Sequence, residues 1–456
     1  MLISDSIFHK NSIGKIIDLY KKKELSPFDL AESCINQINK FEEKYKAWVC
    51  FDRNSLLSMA TESKNLIDGG HKIRSLEGIP IGVKDIYNTA DFPTQMGSPL
   101  WKDFTPGNDA RVVYYLKDQG AIVAGKTVTA EFAVHALNET MNPHDVSRTP
   151  GTSSSGSAVA VSLGMVPIGL GTQTAGSIIR PASFCGIYGF KPSFGLIPRT
   201  GMLKTTDTLD TIGFFTFYLE DLKRTLDSIR VHGSNFPFSN NALTDENRQN
   251  KPNNRPWKVA FVKTHTWSSA PLYAQNSLVN FVNDLSKTKD IEITEIALPD
   301  DMNQSHEIHE KIYNKNLSYY FKEEFKNHEL ISPIMNELIV AGNKISAQEY
   351  KELLSAQSNL ITIMDDFFGN FDIIISLSTA GEAPLREVPE NPDPSLMWTL
   401  THLPSVNIPA FKSPNNLPFG FQVVARKYND YLLLAFLEHL KNCKIIPEHG
   451  IIPSLT

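Results

Sequence analysis

The chain has 456 residues, 41% of them hydrophobic and 21% charged, with a formal charge of −6. That balance is ordinary for a globular protein with a large core and no need of disulfide staples. The mild acidity argues against a broad nucleic-acid-binding face, which requires a basic surplus. By length alone about three domains are expected, or one large α/β domain. The start, MLISDSIFHKNSIGKII, lacks a basic segment leading into an unbroken apolar run, so no signal peptide is expected. Runs such as 373–377 are too short to span a bilayer, which makes a cytoplasmic location the default. Cys34, Cys50, Cys185 and Cys443 show no CxxC spacing and are expected as free, mostly buried thiols.

Ser26-Pro27 predicts a helix start, with Ser26 as the cap and Pro27 at the first helical position. Leu30, Cys34, Ile38 and Phe41 then recur at helical spacing. A second helix is expected over 53–67, and a short apolar strand over 78–85 that ends in charge at Lys84-Asp85. Helix 112–116 and strand 121–124 follow. The small-residue loop 151–157, Gly-Thr-Ser-Ser-Ser-Gly-Ser, leads into a buried helix at 158–161, a strand at 165–169 and a polar turn at 171–177. Segment 235–256, rich in Asn, Pro and Ser, reads as an exposed connection. Beyond it come strand 259–262, helices near 270–287 and 306–328, and strand 372–377. A proline-rich loop at 384–394, strand 420–424 and helix 432–440 complete the chain. Alternating strands and helices predict an α/β layer architecture.

Cleaving an amide requires an activated nucleophile, a proton path to the leaving nitrogen and donors for the oxyanion. Loops 151–157 and 171–177 fit that need, because bare backbone can approach a substrate closely. Lys84 lies at a strand edge upstream of both. Taken alone, the serine run fits a linker or helix cap, and Lys84 a solvated lysine. The co-occurrence of the two loops with Lys84 favours catalysis. Gly120 to Thr127 satisfies the phosphate-loop expression GxxxxGK[ST], yet its middle is itself strand-like and follows a helix, so nucleotide binding is not expected. His135 and His144 flank the first loop without a nucleophile-elbow setting, and a structural or surface role is expected for both. No HExxH or dense His/Asp/Glu cluster points to a metal. Lys21, Lys22 and Lys23 form a solvated helix end.

Residues 151–201, with 76–98, 118–133 and, more weakly, 417–430, resemble the amidase signature hydrolases in order, spacing and content. The resemblance covers most of the chain outside about 202–370. It implies one α/β domain over 1–456, built on a large mixed twisted β-sheet covered by helices on both faces. Within it, 60–220 would be the catalytic core, 221–400 a variable substrate-shaping region and 401–456 a segment completing the sheet. It implies Ser177 as nucleophile, Ser153 as a proton relay on a cis peptide, and Lys84 as general base. It also implies an oxyanion hole from the backbone of Thr174, Ala175, Gly176 and Ser177. Ser153 precedes Ser177 by 24 residues, as the family pattern requires. Lys84 must then be desolvated, since a lysine of ordinary pKa is no base at neutral pH.

The implied reaction is hydrolysis of a small carboxylic amide through an acyl-enzyme, without cofactor, membrane or nucleic acid, in a monomer or homodimer. Three alternatives stand beside it: an amidotransferase A-type subunit that draws ammonia from glutamine with partner subunits, an amidase for small carboxylated urea derivatives, and an inactive binding homologue. Gln173 and Ile179 replace an Asp and an Arg common in the family. A coupled loss that avoids an unpaired buried charge accounts for both, and Arg180 is expected to secure a neighbouring loop instead. Thr152 replaces a common glycine. Substrate-binding residues are expected within 202–400 but are not fixed by the sequence; Tyr319, Trp398 and His402 are candidates from aromatic character alone.

Overall fold

The structure, a computed structural model, describes residues 6–250, 255–390 and 392–454. Its strands are β1 (Trp48–Phe51), β2 (Pro80–Lys84), β3 (Ile122–Thr127), β4 (Ile168–Gln173), β5 (Tyr188–Lys191), β6 (Thr211–Thr216), β7 (Trp257–Phe261), β8 (Ile291–Glu295), β9 (Ile373–Leu377), β10 (Ser405–Lys412) and β11 (Pro418–Ala425). They form one sheet in the order β1-β3-β2-β4-β6-β5-β10-β11-β9-β7-β8. Pairs β2–β3, β2–β4, β7–β8 and β7–β9 are parallel, and the others are antiparallel. This is the mixed α/β sheet expected from the sequence.

Helices cover both faces because alternate residues of one strand point to opposite sides. Val259 and Phe261 of β7, Ile373 and Ile375 of β9, and Val423 of β11 join one core cluster. Their neighbours Ala260, Ile374 and Val424 join the other. The second cluster packs beneath helices 305–320, 333–343 and 347–367. The last two lie in the stretch where the sequence offered no assignment.

Local signals held where side-chain chemistry fixes an end. Helix 27–45 begins at a capping box in which the Ser26 hydroxyl accepts from Asp29 N–H and Asp29 accepts from Ser26 N–H. Other boundaries moved. The strand expected at 165–169 lies at 168–173, so the polar turn starts only at Thr174. Segment 235–256 is not a bare connection, since 237–244 and 246–249 are helical and Asp245 caps the second by accepting from Asn247 and Arg248 N–H. Residues 251–254 of that segment lie outside the described chain. The phosphate-loop look-alike is β3 itself. Its Lys126 is buried, and the ammonium donates to the Tyr87 and Pro93 carbonyls and pairs with Asp85 at 3.0 Å. Among the described residues no helix is long and apolar enough to cross a membrane.

The parallel trio β3-β2-β4 sets the site. Parallel neighbours end on the same edge of the sheet, and ligand sites of open α/β sheets lie beyond carboxyl ends of strands. Lys84 is the last residue of β2. The loop after β4 carries 174–178, and helix 155–162, which crosses from β3 to β4, begins beside Ser153. Gly156 sits in that helix where a Cβ would run into the Ala47 carbonyl and the Val128 backbone. Gly156→Ala is expected to lower stability by about 1–3 kcal/mol through overpacking. A urea melt of the variant checks this, and an unchanged midpoint would contradict the packing.

Candidate active site

Lys84 is fully buried at the end of β2. Its amine meets three hydroxyl oxygens: Ser153 Oγ at 2.8 Å, Ser154 Oγ at 2.9 Å and Thr172 Oγ1 at 2.9 Å. Among the described residues no carboxylate touches it. Burial pushes its pKa well below the usual lysine value, and the more distant charge of Asp210 opposes this. Ser154 donates its own proton to the Thr172 carbonyl at 3.1 Å, so toward Lys84 its oxygen is an acceptor. Ser153 is 1% exposed and follows a cis peptide bond from Thr152.

Residues 174–177 form a turn whose first three carbonyls are held by hydrogen bonds. The Thr174 oxygen accepts from His309 Nε2 at 2.7 Å, Ala175 from the Thr399 hydroxyl at 2.8 Å, and Gly176 from Arg180 N–H at 2.9 Å. The N–H groups of Ala175, Gly176 and Ser177 bond to none of the described residues. Gln173 ties the turn down. Its Oε1 accepts from Ile178 and Ile179 N–H at 2.9 Å each, and its Nε2 donates to Thr399 at 2.9 Å. Asp210 anchors the first turn residue by accepting from the Thr174 hydroxyl at 2.8 Å.

Lys84 and Ser153 are thus in direct contact. Ser177, 3% exposed, follows the turn and makes no hydrogen bond to the described residues, Ser153 included. Arg180 links the two loops. Its guanidinium donates to the Thr152 carbonyl at 2.7 Å, pairs with Glu390 at 2.7 Å and pairs with Asp393. The expected loop-securing role of Arg180 is met, on both sides. The Asp393 carboxylate lies against Gly176, where any side chain would collide with it. Burial raises the Asp393 pKa to about 6, although Arg180 pulls it down.

A cavity of about 620 Å³ opens here, touching Thr152, Ala175, Arg180 and Asp393. That is within the range of small-molecule sites. Thr152 lines the cavity, and its hydroxyl also meets Arg180 at 3.3 Å. His135, His306 and His309 line the cavity, and burial lowers their pKa values to about 3, 3 and 4, which keeps the rings neutral at pH 7. His144 is structural, bonding the Cys185 carbonyl at 3.0 Å. None of the three aromatic candidates reaches the cavity. Trp398 is sealed in the second core, His402 stacks on Phe194 at 4.1 Å, and Tyr319 is 66% exposed at a separate surface pocket. Asp393 and Glu390 went unread because single acids in a proline-rich loop carry no spacing signal. His306, His309 and Tyr313 lie on a helix whose one face is legible only once its packing is known.

Residues 29–434 match the Amidase family. The chain belongs to the amidase signature enzymes. It is an amide-acting enzyme. Among curated relatives, the A-type subunit of the glutamyl-tRNA(Gln) amidotransferase of Sulfurihydrogenibium sp. (strain YO3AOP1) is 29% identical, covering 93% of this chain and 95% of that one. Among solved structures, one described as an amidase has a TM-score of 0.85 at 22% identity, covering 95% of this chain and all of that one. The peptide amidase of Stenotrophomonas maltophilia has a TM-score of 0.82 at 20% identity, covering 98% of this chain and all of that one.

Gln173 gives this family member a neutral anchor where an acid is common. An Asp there could still accept from the two N–H groups, but it would lose the donor to Thr399 and bury a charge. Gln173→Asp is expected to cost about 1–3 kcal/mol, seen as a lower thermal midpoint. An unchanged midpoint would show that Thr399 and the turn do not depend on the amide.

Proposed function

We propose that the chain cleaves carboxylic amides through an acyl-enzyme on Ser177, with Ser153 relaying protons and Lys84 as the base. The observation that carries this reading is the fully buried Lys84 amine 2.8 Å from Ser153 Oγ, with hydroxyls alone around it. A neutral amine has two protons and one lone pair. Ser154 and Thr172 take the two protons, which leaves the lone pair for the Ser153 hydroxyl proton. Ser153 oxygen is then open to accept from Ser177.

Ser177 Oγ bonds to the substrate carbonyl carbon as its proton passes through Ser153 to Lys84. The unpaired N–H groups of the 174–177 turn are the oxyanion donors. Collapse of the tetrahedral adduct breaks the C–N bond, and the proton returns through Ser153 to the leaving nitrogen. Water then attacks the ester and releases the acid. The Ser177 hydroxyl, unpaired in the free protein, would meet Ser153 as substrate docks, since catalytic hydrogen bonds often tighten only in the complex.

A second reading has specific support. The relatives that are A-type subunits of glutamyl-tRNA(Gln) amidotransferases match along nearly the whole chain. That favours glutamine as the amide, with its ammonia passing to partner subunits. Both readings share the acyl-enzyme. Ammonia release from glutamine that appears only with partner subunits would select the second, and release from simple amides by the isolated chain the first.

Ser177→Ala is expected to abolish turnover and labelling by a fluorophosphonate. Lys84→Met is expected to lower kcat about a hundred- to ten-thousand-fold. The pH dependence follows from sign. Lys84 acts unprotonated, so kcat/KM rises as pH passes upward through its lowered pKa and levels off before the ordinary lysine range. Stability moves the same way. The unfolded chain holds the Lys84 proton more tightly than the fold does, so folding gains as pH climbs from the folded toward the unfolded pKa. Wild-type turnover by either variant would overturn the assignment.

A further inference from the structure

The cavity has two unlike ends. Its floor, beside the turn, is polar. Its mouth is apolar. Leu137, Ile334 and Val388 stand at the opening with 43%, 40% and 47% exposure, and Leu338 is half-buried between them. They come from three separate segments: the loop after β3, helix 333–343 and the proline-rich loop before β10. Ile334 and Leu338 are four residues apart, hence on one helical face, while Met335 and Ile339 of the same helix fill the second core. Helix 333–343 therefore spends two aliphatic faces, one on the core and one on the cavity. Large apolar side chains gathered at a rim from unrelated segments mark a binding surface more often than chance exposure.

The charges point the same way. The cavity is lined by two guanidiniums, Arg180 and Arg386, and four carboxylates, Glu310, Glu387, Glu390 and Asp393. Arg180 is taken up by Glu390, Asp393 and the Thr152 carbonyl. Arg386 donates to the Thr140 and Asn138 carbonyls at 2.6 Å each. Arg180 is already paired, and the four carboxylates outnumber the two guanidiniums, a surplus that works against a free carboxylate on a substrate.

We propose that the substrate is an amide bearing an uncharged apolar chain, held by Leu137, Ile334, Leu338 and Val388 while its carbonyl lies at Ser177. The proposal rests on the reading of the floor as the catalytic site, and it sets the substrate class apart from a free amino-acid amide such as glutamine. Each methylene that the collar takes from water strengthens binding about fourfold.

Binding separates this from catalysis. In the Ser177→Ala protein, affinities for acetamide, butanamide and hexanamide are measured by calorimetry beside glutamine. Affinity is expected to climb with chain length, to exceed that for glutamine at hexanamide, and to lose its slope in Leu338→Ser/Val388→Ser. A series of N-alkyl acetamides tests a chain on the nitrogen side, and a slope in either series supports the collar. Flat affinity in both series, a slope untouched by the double substitution, or glutamine binding as tightly as hexanamide would overturn it. These outcomes do not depend on turnover. Loss of fluorophosphonate labelling in the unsubstituted protein would instead strike the catalytic reading.

Discussion

Everything in the site is arranged around one amine kept out of water. An ammonium at the end of a buried strand lacks both solvent and a carboxylate partner, so the low-dielectric interior favours its neutral form. The contrast with Lys126 is instructive. That lysine lies on the adjacent strand, equally buried, yet pairs with Asp85 and bonds two carbonyls. Two buried lysines on neighbouring strands thus have unlike surroundings, one facing a carboxylate and carbonyls, the other hydroxyls.

Position in the sheet explains why three distant segments meet. Parallel pairing of β2 with β3 and β4 brings their carboxyl ends to one edge. The residues that follow or end those strands therefore share that edge whatever their separation in sequence. Arg180 then ties the turn after β4 to the Ser153 loop on one side and to Glu390 and Asp393 on the other. Removing one member of so buried a cluster leaves an uncompensated charge, which is costlier than forgoing the cluster altogether. The same clasp shapes the floor of the cavity.

Much of this was legible in the sequence, and the reasons are local. Small-residue loops and a lysine at a strand end are readable because close backbone approach tolerates few side chains. Ser26 with Asp29 declared a helix start through chemistry that needs no tertiary partner. What failed to show depends on contacts across the fold. Ser154 is one serine of a small-residue run in the sequence and proves to receive Lys84. Gln173 appeared only as a missing acid, whereas its two-ended amide joins Ile178, Ile179 and Thr399. Helix 333–343 was missed because aliphatic residues serving two faces blur the single-stripe pattern by which helices are recognised. Trp398 and His402 show the reverse: aromatic rings in a loop-rich region are candidates for a substrate pocket on character alone, and they instead fill the core or stack on a neighbour.

The most direct test is the titration of the Lys84 amine itself, followed by NMR in protein with isotope-labelled lysine and assigned through Lys84→Met. The account expects a resonance that titrates well below the ordinary lysine range and is absent from the variant. A Lys84 amine that stays protonated up to that range would contradict it, because no uncharged base would then stand behind Ser153.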